Sequence, residues 1–105
     1  MKENLNLWVK ILKDKNEELA IRDDIAMDLS QYNYDFVLDA LIQVSSDPEE
    51  DKILVSSAAE SIAEIWVMRK TFDIETYNRL LKTAKNEILG FYKNIAPELL
   101  PSDLE

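Results

Sequence analysis

The chain predicts an all-α domain, a short right-handed stack of antiparallel helix pairs with about five helices. Three observations carry that expectation. Apolar residues recur at i, i+3, i+4 and i+7 along the whole chain, the period of a helix with one buried face. No stretch alternates apolar and polar residues for long, and one Gly and three Pro leave few turn formers for a sandwich or barrel. The chain also repeats itself at an interval of 33 residues. Its 105 residues suit one domain, residues 1–105, and 47% apolar content is enough for a core.

The elements follow in order. Leu5, Trp8, Val9 and Leu12 place the first helix near 3–14. Ile21, Ile25, Leu29 and Tyr32 place a second near 17–31, with Asn16 in position to cap it. Val37, Leu38, Leu41, Ile42 and Val44 mark a third near 35–46, preceded by Asn33 as its cap. Asp47-Pro48-Glu49-Glu50 reads as a cap, a first-turn Pro and acids at the positive end of the helix dipole. The helix it opens, near 51–69, carries Val55, Ala58, Ala59, Ile62 and Trp66 on its stripe. Asp73 starts the last helix, near 74–93, with Tyr77, Leu80, Leu81, Ala84 and Ile88. Gly90 inside it costs about 1 kcal/mol relative to Ala and marks a kink, a close approach or an early end. The tail NIAPELLPSDLE reads as an extended run anchored by Leu99 and Leu100.

Shifted by 33 residues, Leu5 falls on Leu38, Trp8 on Leu41, Val9 on Ile42 and Ile11 on Val44. Asp14 meets Asp47, Glu17 meets Glu50, Ala26 meets Ala59 and Leu29 meets Ile62. The unit is therefore helix, acid-capped turn, helix, and such units share a core by stacking. A third copy is incomplete, because the next helix arrives at an offset nearer 40.

Asp14 followed by AIRDDIAMDL, and Asp47 followed by LVSSAAESIAEI, resemble HEAT-type repeats. In that family a turn Asp precedes an Arg or Val and a helix with small residues. Arg22 matches the Arg in one copy, and Val55 replaces it in the other. The pattern covers about residues 5–90. More narrowly, RDDIAMDLSQYNYDFVLDALIQVSSDP with AESIAEIW resembles small bacterial HEAT-like proteins encoded beside polymorphic toxins, including those of contact-dependent growth inhibition. The resemblance implies an immunity protein, which binds a cognate toxin domain and blocks it.

Charge sharpens the expectation. The chain has 12 basic and 21 acidic residues, net −9. Residues 1–22 are net +1 and residues 65–105 net zero, whereas residues 23–64 hold eleven acids and Lys52, net −10. Within that block Asp24 and Asp28, Asp35 and Asp39, and Glu60 and Glu64 each stand four apart, which puts like charges on one helix face. Each pair is destabilising by roughly 0.2–0.5 kcal/mol, so the pattern reads as an acidic surface for a cationic partner. The plain alternative is a solvated face. Tyr32 and Tyr34, beside Asn33 in a loop, suit contact with a partner or cap the core. Trp66, near a helix end beside Glu64, packs in the core or anchors a partner.

Much is excluded. With no Cys and no His there is no disulfide, no thiolate or imidazole chemistry and no metal site built on them. DPEED at 47–51 lacks the Gly and spaced Glu of a calcium loop. Paired carboxylates do acid–base work only in a cleft that a domain this small rarely builds, so no catalytic residue and no cofactor is expected. Lys10, Lys13 and Lys15 are too few for a nucleic-acid footprint, and the acidic balance repels both nucleic acid and anionic lipid. MKENLNLWVKILKDK is interrupted by Asn6, Lys10 and Lys13, unlike a signal peptide, and no apolar run would span a membrane, so a cytoplasmic protein is expected. The sequence thus predicts a non-enzymatic partner of a basic toxin domain, possible nucleases included, bound through Asp24, Asp28, Tyr32, Tyr34, Asp35, Asp39, Glu60, Glu64 and Trp66. The rival expectation is a structural or adaptor HEAT fragment whose charge serves solubility.

Overall fold

A computed structural model describes residues 2–104, with side chains from Asn4 onward. The described residues are all-helical, with six α-helices and no strand. They run α1 (Lys2–Lys13), α2 (Leu19–Asp28), α3 (Asp35–Ser45), α4 (Lys52–Met68), α5 (Ile74–Arg79) and α6 (Lys82–Ile95). A 3-10 turn at Leu29–Gln31 extends α2. The helices form two layers, with α1 beside α3 in one and α2, α4 and α6 side by side in the other. Helix α4 is the centre, packed against α2, α3 and α6. Its small residues Ala58, Ala59, Ser61 and Ala63 are all buried and let three helices come close. Ser61 Oγ donates to the Ala26 carbonyl of α2 at 2.5 Å, which a large side chain there would prevent.

The 33-residue repeat is written in the turns. The Asp14 amide donates to the Ile11 carbonyl at 3.1 Å, and the Asp47 amide to the Val44 carbonyl at 3.3 Å. Glu17 N–H reaches the Asp14 carbonyl and Glu50 N–H the Asp47 carbonyl, both at 3.1 Å. Each aspartate Oδ1 accepts from the amide two residues on, Asn16 or Glu49, at 2.9 Å. Side chains of this length make that local bond readily, and it folds each turn before the helix begins. The helices then start at equivalent extended residues, Glu18 and Asp51.

Two ion pairs join the turns. Lys15 Nζ lies 2.7 Å from Asp47 Oδ2 at the surface. That bond holds the Asp47 carboxyl below its usual range and raises the Lys15 ammonium. The second is buried. Arg22 Nη2 lies 2.5 Å from Glu50 Oε2, with both side chains 5% exposed. Arg22 Nε also donates to the Leu12 carbonyl at 2.8 Å. One guanidinium, carried on α2, therefore binds both the last turn of α1 and the turn between α3 and α4.

Several expected boundaries move. Neither Asn16 nor Asn33 is a cap: the caps are Glu18 and Tyr34, and neither makes a side-chain cap bond. Asn33 Oδ1 instead accepts from Arg69 Nε at 2.6 Å. Pro48 sits in a turn rather than at a helix start, and Asp51 caps α4 by accepting from Ile53 N–H at 2.8 Å. Asp73 caps α5, as expected, through the Thr76 amide at 3.1 Å. The expected last helix breaks at Leu80–Leu81, where both residues are extended. There the Leu81 amide donates across to the Ser45 carbonyl at the end of α3, at 3.1 Å. A tertiary bond replaces the helical one. The tail is not simply extended but makes two 3-10 turns, with Leu99, Leu100 and Leu104 packed on the core. On α2 the inward line is Arg22, Ala26 and Leu29, while Ile21 is 42% exposed.

Helix α4 ends in a Schellman motif. The Lys70 amide donates to Val67 O at 2.9 Å and the Thr71 amide to Trp66 O at 3.0 Å, with Lys70 at φ 57°. Trp66 is 1% exposed and its ring lies 5.5 Å from that of Phe72. Phe72 in turn meets Tyr92 at 4.9 Å, and the Tyr92 hydroxyl donates to the Thr71 carbonyl at 2.6 Å. These contacts hold a lysine in the left-handed region, where its Cβ is disfavoured. Lys70→Gly should therefore stabilise the fold by about 0.5–1 kcal/mol, read as a higher Tm, after the greater chain entropy of unfolded Gly is subtracted. Lys70→Ala, which removes the charge and keeps the strain, should not. Equal melts for the Gly and Ala variants would show that the turn carries no strain.

Candidate functional site

The nine expected partner-binding residues do not form one patch. Asp24 and Asp28 are exposed on α2, and Glu60 and Glu64 lie on α4 in the same layer. Asp39 is exposed on α3, in the other layer. Asp35 sits at the edge where α3 begins and α4 ends, and its Oδ1 accepts from Arg69 Nη2 at 2.9 Å. The Asp35–Asp39 repulsion is thus relieved by Arg69.

The aromatic residues also divide. Trp66 is a core residue: it is buried in the Phe72, Tyr77 and Tyr92 cluster and offers a partner no surface. Its place near a helix end in the sequence is a place at the middle of the fold. Tyr32 is half-buried and meets the Trp8 ring edge-on at 6.1 Å, which caps the core between α1 and the loop. Tyr34 is more exposed and stacks on Phe36 at 5.9 Å.

The coherent feature is a groove between α4 and α6, about 500 Å3 in volume. Ser56 and Glu60 form one wall, while Thr83, Asn86, Glu87 and Asn94 form the other. Gly90 lines it too, and nothing outside its own helical turn lies within 4 Å of where its Cβ would be. Helix α6 runs on to Ile95, so Gly90 marks neither a kink nor an end, and no neighbour requires its smallness. A longer side chain at this position would project into the groove. Glu87 and the role of Gly90 were not visible in the sequence, because nothing there places α6 beside α4.

Glu64 lies one turn beyond Glu60 on α4 and is half-buried. Desolvation, and secondarily the charge of Glu60, raise its pKa above the ordinary carboxylate value. Among the described residues no cation forms an ion pair with Asp24, Asp28, Asp39, Glu60, Glu64 or Glu87. Carboxylates in this state accept hydrogen bonds from lysine or arginine, and a cation beside Glu60 and Glu64 relieves their repulsion. The acids of the 47–51 turn are different, since Asp47, Glu50 and Asp51 are all engaged in structural bonds. No group of three or more acids among the described residues is placed to hold a metal ion, and no described helix is long and apolar enough to cross a membrane.

The raised Glu64 pKa has a definite sign in stability. Folding favours the protonated form, so its contribution is present below the reference value of 4.5 and is lost as pH rises through the folded pKa. Glu64→Gln should therefore melt above the parent at pH 7, and the gap should close as pH falls below 4.5. Paired thermal melts from pH 3 to 8 check this (the range is about that over which carboxylates titrate). A gap that widens on acidification would place Glu64 in a favourable bond instead.

Comparison with protein-family models, with curated proteins and with solved structures finds no match to this chain. Its functional reading rests on its own residues and their geometry.

Proposed function

We propose that the chain is an immunity-type protein that binds and neutralises a basic toxin domain, using the outer face of α2, α4 and α6. The observation that carries this reading is the open groove between α4 and α6, lined by Glu60 and Glu87, with Glu64 one turn beyond Glu60 on α4 and no ion pair to any of the three among the described residues. A domain selected for stability alone would place lysine at one of each pair. The likeness of residues 22–48 and 59–66 to small HEAT-like immunity proteins supports the same reading, as does the net charge of −10 on residues 23–64. A toxin that acts on nucleic acid has a positive cleft. An acidic helical surface occupies such a cleft, excludes its substrate and speeds encounter by long-range attraction.

Stability and binding should respond in opposite directions to a change at Glu64. Glu64→Lys places a cation four residues after Glu60, the favourable order on a helix, and removes a desolvated carboxylate. The variant should melt at or above the parent. Against a basic toxin domain, its association rate should fall about tenfold at low salt, and the parent's rate should fall steeply as salt rises. Stopped-flow association against ionic strength measures both. A parent rate indifferent to salt, with Glu64→Lys binding as well as the parent, would leave the charge as solvation and favour an adaptor that packs through apolar contacts.

A further inference from the structure

The α4–α6 groove is narrow as well as acidic. It runs along α6 from Thr83 to Asn94, eleven positions or about 16 Å at the helical rise. A volume of about 500 Å3 over that length leaves a mean section of about 30 Å2. An α-helix with its side chains is about 10–12 Å across and does not enter such a space. One extended chain does, and about five residues at about 3.3 Å each match the length.

The lining suits a peptide backbone better than the apolar face of a helix. Phe91 is its one large apolar residue, whereas grooves that take helices are hydrophobic along their length. The polar lining is Ser56, Glu60, Thr83, Asn86, Glu87 and Asn94. Among the described residues, none of these six side chains makes a hydrogen bond or ion pair within the chain. The hydroxyls of Ser46 and Ser61 donate to backbone carbonyls, and those of Ser56 and Thr83 do not. A carboxamide both donates and accepts, as a peptide group does, so Asn86 and Asn94 match the N–H and C=O groups of an extended chain. Glu60 on α4 and Glu87 on α6 put a carboxylate on each wall, and neither Lys82 nor Lys93 lines the groove. Phe91 offers apolar surface to the aliphatic stem of a lysine or arginine.

We propose, resting on the reading of this chain as a binder of a basic domain, that the groove takes one extended segment of the partner, its backbone bonded by Asn86 and Asn94 and its lysine or arginine side chains by Glu60 and Glu87. The wider acidic face then speeds the encounter, and the groove supplies the fit. Gly90 lies against the segment, where a longer side chain would take its place.

Isothermal titration of the full chain at low salt, with a capped peptide of alternating arginine and serine about eight residues long, tests it. Gly90→Leu leaves the net charge unchanged, supplies a better helix former and sends a side chain into the groove. It should melt no lower than the parent and bind the peptide at least about tenfold more weakly. The same peptide with N-methylated backbone amides keeps every cation and loses its N–H donors, and it should bind the parent about tenfold more weakly. That arm uses the unaltered protein, so it stands even if Gly90→Leu fails to fold. Glu87→Gln should weaken binding about fivefold, whereas Asp39→Asn, the same loss of charge in the other layer, should leave it unchanged. No binding by the parent, equal binding of the N-methylated peptide or by a folded Gly90→Leu, or equal weakening by Glu87→Gln and Asp39→Asn would overturn the extended segment. The broader reading falls separately: a basic toxin domain that is weakened by Glu64→Lys and indifferent to Gly90→Leu would keep the acidic face and reject the groove.

Discussion

The stack depends on one buried cation. Arg22 is held on a helix whose other inward residues are Ala26 and Leu29, and it satisfies a carbonyl of α1 and a carboxylate of the α3–α4 turn together. A charge this deep is tolerable only when paired and hydrogen-bonded, so the bonds fix where the second repeat sits relative to the first. Lys15 and Asp47 run parallel at the surface, but exposed pairs of that kind contribute little. The register of the two repeats is therefore set from inside, by chemistry that allows few alternatives.

That register decides what the outside looks like. With the turns aligned, α4 lies between α2 and α6 and uses its small residues to touch both. Its remaining outward positions include Glu60 and Glu64, and the gap toward α6 becomes the groove. Gly90 leaves that gap unfilled at a cost to its helix of about 1 kcal/mol relative to Ala. Glu60, half of one like-charged pair, and the unforced Gly90 both lower stability, and both line the same opening. A partner that supplies cations would offset the first and occupy the space kept by the second.

Much of the fold was legible. Leu5, Leu12, Val37, Leu41, Ala59 and Ile62 are buried where helical spacing puts them, and the two turns that the repeat aligned are closed by equivalent hydrogen bonds. Sequence reasoning failed where two answers were locally equal. Helix α2 has apolar residues on both sides, with Ala26 and Leu29 buried and Ile21 exposed, so spacing put Ile21 in the buried stripe and left Arg22 out of it. The break at Leu80–Leu81 has no local signal, since the bond that makes it goes to Ser45. The site was legible in its acids and not in its shape. Spacing found Glu60 and Glu64, but only the packing of α6 on α4 supplied Glu87 and removed Trp66.

The most direct measurement of this account is a double-mutant cycle on the buried pair, by urea unfolding of Glu50→Gln, Arg22→Met and the two combined. Each single change, by leaving an uncompensated or poorly paired buried group, should cost about 3–5 kcal/mol. The double variant should lose much less than their sum, because no charge is left stranded. Single variants within about 0.5 kcal/mol of the parent, or losses that simply add, would contradict the claim that Arg22 and Glu50 lock the repeats together.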